Sequence, residues 1–290
     1  MSVKQTIKRI IPAPAWNLLR KTYSGLTHLP DLPSVYLHPW RQKSMRQLAE
    51  LKDIHKGKRA FIIGNGPSLK KTDLNKLKDE YTFGLNRIYL MFPELGFQTT
   101  YFVTVNDLVI EQCKDDISAL PMPKFLSWRS HRFFPTGSLP ATFLYTTYDN
   151  PAFAHDVRYR VWESATVTYV ALQLAYHMGF EQVILVGVDH RSFVTGKANA
   201  TIVSKGDDPN HFNPAYFGKG FRWQLPDFET SEIGYRLARQ AYEADGRQVL
   251  DATIGGKLTV FPKVDYNQLF GHVGWEDPTV LIMEKKNDAV

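Results

Sequence analysis

At 290 residues, with 43% hydrophobic residues and a formal net charge of +6, the chain has the make-up of one large α/β domain with appendages. Its single cysteine, Cys113, excludes an internal disulfide and a multi-cysteine metal site, and with no secretory signal in view it points to a reducing, cytoplasmic setting. No apolar run approaches the ~20 residues of a membrane span, and the charge excess falls within residues 1–60 (12 Lys/Arg against 3 Asp/Glu), so the near-neutral remainder argues against a nucleic-acid surface.

Residues 1–56 read as a basic N-terminal arm and linker. Lys4, Lys8, Arg9, Arg20 and Lys21 interleave with Ile7, Ile10, Ile11, Trp16, Leu18, Leu19 and Tyr23. Such a segment can lay apolar side chains in a bilayer interface and basic ones on anionic head groups; packing on the domain or on a partner subunit is the competing explanation. Residues 30–39 read as a Pro-rich linker and 42–54 as a short amphipathic helix.

From Ala60 onward, strand and helix alternate as a parallel sheet requires. Strands are expected over 59–64, 81–86, 100–105, 124–127, 142–145, 182–187 and 248–251, with strong helices over 166–178 and 231–244. Residues 191–228, rich in Gly, Asn, Asp, Pro and aromatics, fit a lid or acceptor-binding insertion. The expected architecture is a Rossmann-like, mostly parallel sheet over residues 57–270 with helices on both faces, followed by a tail over 271–290.

The run Phe61-Ile62-Ile63-Gly64-Asn65-Gly66-Pro67-Ser68-Leu69 is a buried strand breaking into a tight turn. In an open α/β sheet this turn lies at the ligand-binding edge. Gly64 and Gly66 permit close backbone approach, and Asn65 and Ser68 add polar side chains. It is not a P-loop, because Lys70 is followed by Lys71, and not a dinucleotide fingerprint, because Leu69 holds the third glycine position.

Further strand ends bring polar groups to the same edge: Asn86, Asn106-Asp107, and Asp189-His190-Arg191 after Gly187. Each asparagine amide offers a donor and an acceptor, suited to a neutral heterocycle or ribose hydroxyls, although each also suits a turn. Ser164-Ala165-Thr166 opens a helix whose start is both an N-cap and a ready anion site. His211, between Asp207-Asp208 and Phe212, is a general-base candidate, with His190 its rival. No zinc-spaced histidine pair and no Gly-x-Ser-x-Gly elbow occurs, so no metal ligand is assigned.

Taken in order, these landmarks resemble the sialyltransferases of glycosyltransferase family 42, the related domain of motility accessory factors, and the 6-hydroxymethylpterin diphosphokinase MptE-like group. The resemblance runs from the Phe61–Leu69 motif through Gly84-Leu85-Asn86-Arg87, Val103-Thr104-Val105-Asn106, Glu163-Ser164-Ala165-Thr166-Val167 and Gly187-Val188-Asp189 to Asn210-His211-Phe212. It implies an inverting, metal-independent transferase that moves a nonulosonic acid from a CMP-sugar to a glycan or lipid-linked acceptor and needs no cofactor. Asn65 would touch the donor phosphate or sugar, with Asn86 and Asn106 lining the donor site. Ser164 and Thr166 would hold the carboxylate or phosphate, Gly187 and Asp189 the cytidine or ribose, and His211 would be the base. The family's phosphate-binding tyrosines are replaced here by His190-Arg191-Ser192-Phe193. Arg191 or Tyr216 would then take over the leaving phosphate. The basic arm would hold the enzyme at the inner face of an anionic membrane, and the family also allows a homo-oligomer. The alternatives are an ATP-dependent pterin diphosphokinase-like enzyme, which needs Mg²⁺, and a non-catalytic nucleotide-binding protein.

Overall fold

The computed structural model describes residues 26–271. Their strands are β1 (Arg59–Ile63), β2 (Tyr81–Leu85), β3 (Tyr101–Thr104), β4 (Lys124–Ser127), β5 (Thr142–Thr147), β6 (Arg160–Trp162), β7 (Gln182–Val186), β8 (Thr201–Val203), β9 (Arg222–Gln224) and β10 (Gln248–Asp251). Eight of them form one sheet in the order β10-β7-β1-β2-β3-β4-β5-β6, and every neighbouring pair is parallel. The helices are α1 (Leu32–Leu37), α2 (Pro39–Glu50), α3 (Phe92–Leu95), α4 (Asp107–Gln112), α5 (Lys114–Ala119), α6 (Val167–His177) and α7 (Phe228–Ala244). This is the expected Rossmann-like α/β architecture.

Covering both faces of a parallel sheet makes its strands continuously apolar rather than alternating. Phe61, Ile63, Ile184 and Val186 pack into one core, while Ala60, Ile62, Val183 and Leu185 pack into the other. Helix α6 is buried from Thr168 to His177 and is tied to α7 by the Tyr242 hydroxyl, which donates to the Leu172 carbonyl at 2.8 Å.

Two expectations change. The stretch 30–39 is not an extended linker: a 3-10 turn (Leu29–Asp31) leads into α1 and then α2. Pro33 and Pro39 sit in the first helical turns, where a missing N–H costs nothing. Nor is 26–56 an appendage. Trp40 and Leu48 of α2 belong to the two cores, and Arg41 is fully buried, its guanidinium donating to the Arg158 carbonyl at 2.6 Å. Burial pushes the Arg41 pKa down to about 10.

The insertion over 191–228 is also more structured than a lid needs to be. It carries the β8–β9 antiparallel pair, with Ile202 opposite Trp223, and buries Phe212, Tyr216, Phe217, Trp223 and Leu225 in a core. Strands of three residues are too short to show a period, so they and β6 escaped the sequence pattern. The basic segment over 4–23 and the tail over 272–290 lie outside the described residues. Among the described residues no helix is long and apolar enough to cross a membrane.

If α2 is part of the core, Leu48→Ala should cost about 2–5 kcal/mol in urea unfolding. A cost below about 0.5 kcal/mol, typical of exposed positions, would contradict this packing.

Candidate active site

The strand order runs outward from β1 to β6 and then returns to set β7 beside β1. A crevice opens at such a reversal, outside the carboxyl ends of the strands. Here the two loops nearly fuse. Gly64 N–H donates to the Val186 carbonyl at 2.8 Å and Gly66 N–H to the Gly187 carbonyl at 2.9 Å. A Cβ at Gly64 would stand 2.4 Å from the Gly187 oxygen, and one at Gly66 1.8 Å from Asp189 Oδ2. Approach of β7's loop, not of a ligand, therefore accounts for both glycines. Pro67–Lys71 continues as a 3-10 turn, not an α-helix.

The same contact fixes Asp189, whose Oδ2 accepts from Ser68 Oγ at 2.6 Å. Its Oδ1 has no hydrogen bond and lies 3.4 Å from the Arg191 guanidinium. Asn65 donates through Nδ2 to the Leu85 carbonyl at 2.9 Å, leaving Oδ1 buried without a partner. His190 Nε2 is 3.1 Å from Glu232 Oε1, and its ring packs edge-on to Phe228.

Two cavities, of 200 and 280 Å³, share Asn86, Ala165, Thr166, Arg191 and His211 in their walls, and so form one cleft. The smaller adds Gly64, Asn65, Gly66, Gly187, Asp189, His190 and the edge of Tyr216; the larger adds Asn106, Glu163 and Trp223. Ser68 and Ser164 stand behind the walls. Asn86 Oδ1 accepts from Thr104 Oγ1 at 2.9 Å. Asn106 caps α4 through the Leu108 N–H at 2.9 Å and donates to Gln224 Oε1 at 3.2 Å.

Thr166 caps α6, accepting from the Thr168 N–H at 3.3 Å. The start of α6, with Thr166 and Val167, therefore faces the cleft, where the helix dipole makes a favourable place for negative charge. Ser164 does not share in it: its Oγ donates to the Thr230 carbonyl at 2.6 Å, latching α7. Ser164 and Ala165 hold φ of +43° and +58°. Left-handed backbone at non-glycine residues costs of order 1–3 kcal/mol and collects at functional sites. Asn86, His190 and Asn199, also on the cleft wall, share this conformation.

His211 is the best-positioned side chain. Its Nδ1 lies 2.6 Å from Asp208 Oδ2. The Asp208 carboxylate is 2% exposed and is held by the N–H groups of Asn210 at 2.8 Å and Phe217 at 3.2 Å. The imidazole stacks on Tyr216 at 3.9 Å. A carboxylate at Nδ1 selects the tautomer with its proton there, which leaves Nε2 as an acceptor; Nε2 makes no hydrogen bond among the described residues. The Phe212 N–H donates to the Asn65 carbonyl at 2.9 Å, anchoring this segment to the first turn. Tyr216 does not fit the leaving-group role expected for it. It is fully buried beneath His211, its oxygen accepts from the Arg87 N–H at 3.3 Å, and burial raises its pKa.

Three features of the cleft were not assigned from sequence. Asp208 was visible only as one of an acidic pair, although its spacing three residues before His211 is the usable signal. Glu163, on the cleft wall, is ion-paired with Arg129 at 2.7 Å, and burial pushes its carboxyl upward against that cation's pull. Tyr148 lies under the Arg129 guanidinium at 4.5 Å. Partners so far apart in sequence leave no local pattern.

Because Gly66 leaves no room for Cβ, Gly66→Ala should destabilise the fold by about 1–3 kcal/mol. Gly206→Ala, in open space, should stay within about 0.5 kcal/mol. Equal unfolding midpoints for the two variants would refute the close approach.

A family model described as 6-hydroxymethylpterin diphosphokinase MptE-like matches residues 40–193. No curated protein matches the sequence. Among solved structures, the MAf glycosyltransferase from Magnetospirillum magneticum AMB-1 is similar with a TM-score of 0.46 at 13% identity, over 92% of this chain and 44% of that one. The thiamin pyrophosphokinase from Geobacillus thermodenitrificans is similar with a TM-score of 0.25 at 16% identity, over 48% of each chain. The chain thus spans less than half the length of either protein. The family match takes in β1 to β7 and the Asp189 loop and stops short of His211, covering more than half of the chain: the protein belongs to the 6-hydroxymethylpterin diphosphokinase MptE-like family.

Proposed function

We propose that the protein is a transferase that moves a nonulosonic acid from a CMP-sugar to a hydroxyl of a glycan or lipid-linked acceptor, with His211 as general base. The observation that carries this reading is the Asp208–His211 pair at the cleft wall, with its Nδ1 contact of 2.6 Å. A sugar hydroxyl is a poor nucleophile at neutral pH, and a neutral imidazole with a free Nε2 is the side chain suited to take its proton. As the acceptor oxygen attacks the anomeric carbon, its proton passes to Nε2, and the CMP phosphate leaves with the bonding electrons on the opposite face, inverting the centre.

The polarity of the cleft supports an orientation for the donor. Among the described residues Asp189 Oδ1 and Asn65 Oδ1 accept no hydrogen bond, so that end suits ribose hydroxyls or a base amine, and Arg191, 3.4 Å from Asp189 Oδ1, leads from it toward the phosphate. On this reading Asn65, expected at the donor phosphate or sugar, lies at the nucleoside end instead. The phosphate and the sugar carboxylate would lie between Arg191 and the start of α6, both on the wall shared by the two cavities. The charge excess of residues 1–60 supports an acceptor held at an anionic membrane surface.

The family description favours a second reading, diphosphate transfer from ATP to a pterin hydroxymethyl group, for which the same base would serve. Isothermal titration with CMP, CDP, ATP and GTP, each with and without Mg²⁺, separates the two. CMP binding without metal is expected; Mg²⁺-dependent ATP binding with no CMP signal would sink the CMP-sugar proposal. In the active enzyme His211→Ala should lower kcat by about 10²–10⁴-fold while leaving CMP affinity within about twofold. Wild-type turnover in that variant would remove His211 as the base.

A further inference from the structure

A second cavity, of 420 Å³, lies at the carboxyl ends of β4 and β5, against the chain that leads into α1. Its size suits a small molecule, and its lining is mainly apolar, with Val35, Trp128, Tyr145 and Tyr148 among its walls. Two of its polar atoms lack a hydrogen-bond partner among the described residues. Tyr145 is 6% exposed and its hydroxyl makes no hydrogen bond. Asp149 Oδ1 is held by His28 at 2.9 Å and by Arg160, while Oδ2 makes no hydrogen bond. Buried polar atoms are nearly always satisfied in folded proteins, so two orphans on one cavity wall call for an occupant.

The charges restrict its chemistry. The arginines at this cavity are already ion-paired, Arg129 with Glu163 at 2.7 Å and Arg132 with Asp107 at 3.3 Å. The buried groups without a hydrogen bond are a carboxylate oxygen and a phenol, which suit hydroxyl groups. An anionic ligand would instead face the carboxylates of Asp31 and Asp149. Tyr148 lines both this cavity and the main cleft; Arg129, on this cavity's wall, lies with its guanidinium 4.5 Å from the Tyr148 ring centre and pairs with Glu163 of the cleft wall.

We infer that this cavity is a second ligand site, which takes an uncharged hydroxylated ring of the sugar class, with its hydroxyls on Tyr145 and Asp149 and its apolar face on the aromatic wall. Its role as the acceptor subsite rests on the transferase reading above; the site itself rests on the cavity's own groups.

The test is saturation-transfer NMR on the full chain with methyl α-D-glucopyranoside, methyl α-D-galactopyranoside and methyl α-D-mannopyranoside at millimolar concentration. Glucuronate serves as the charged comparison, and CMP is titrated separately. At least one neutral glycoside should bind, more tightly than glucuronate and without displacement by CMP. Tyr145→Phe should weaken it about fivefold, the loss of one neutral hydrogen bond, with an unchanged melting temperature and CMP response. Should Tyr145→Phe unfold, Asp149→Asn, which keeps the Oδ1 acceptor for His28 and Arg160 and lies away from the main cleft, supplies the same comparison. No neutral glycoside binding, tighter glucuronate binding, displacement by CMP, or equal affinity in the folded variant would each overturn the site. Failure of CMP alone would sink the donor reading and leave this site standing.

Discussion

The close approach of the loops after β1 and β7 is the constraint on which the site depends. Two glycines and two backbone hydrogen bonds bring Gly64–Gly66 against Gly187–Asp189 with no room for a single extra carbon at Gly66. That contact seats Ser68 on Asp189 and turns Asn65 so that its carbonyl receives the Phe212 N–H. The insertion carrying His211 is thereby tied to the first strand of the sheet, across a long stretch of chain. The cleft is a consequence of strand order: the reversal at β1 and β7 leaves a crevice, and the glycines decide how narrow it is.

On this frame the cleft sets acceptor oxygens beside a cation, with Asp189 Oδ1 3.4 Å from the Arg191 guanidinium. Its inner end presents acceptor oxygens from Asn65 and Asp189. Its middle presents Arg191 and the start of α6, held by the left-handed pair Ser164-Ala165. His211 stands on the wall of both cavities, its tautomer set by buried Asp208 and its plane by Tyr216. The aromatic residues of the insertion act as structure: Phe212, Tyr216 and Phe217 form a packed shelf that keeps the imidazole in one orientation. A side chain already oriented in the folded protein needs no rearrangement to exchange a proton.

Much of this was legible in the sequence because it is local. The apolar runs that become β1, β2, β4, β7 and β10 are bounded by turn residues, and the helix over 167–177 is announced by its cap at Thr166 and by Gly179 beyond its end. The polar strand ends at Asn65, Asn86, Asn106 and Asp189 follow from placing those strands in one parallel sheet. What stayed hidden depends on tertiary contact. Ser164 looks like an anion ligand until the Thr230 carbonyl claims its hydroxyl. Tyr216 looks reactive until it is seen buried under His211. The prolines of 30–39 look like a linker until they are found in first helical turns, where their geometry is harmless. The pairing of Glu163 with Arg129 spans residues far apart in the chain and has no sequence signature.

In the proposed function, one cleft at the β1–β7 switch point holds the nucleoside against Asp189 and Asn65 and presents the reacting end to His211. A crystal structure of the protein grown with CMP and without divalent metal tests it most directly. Ribose or base should lie within hydrogen-bond distance of Asp189 Oδ1 and Asn65 Oδ1, with the phosphate between Arg191 and the start of α6. A nucleotide bound in the reverse orientation, with its phosphate on Asp189, or bound outside this cleft, would contradict it.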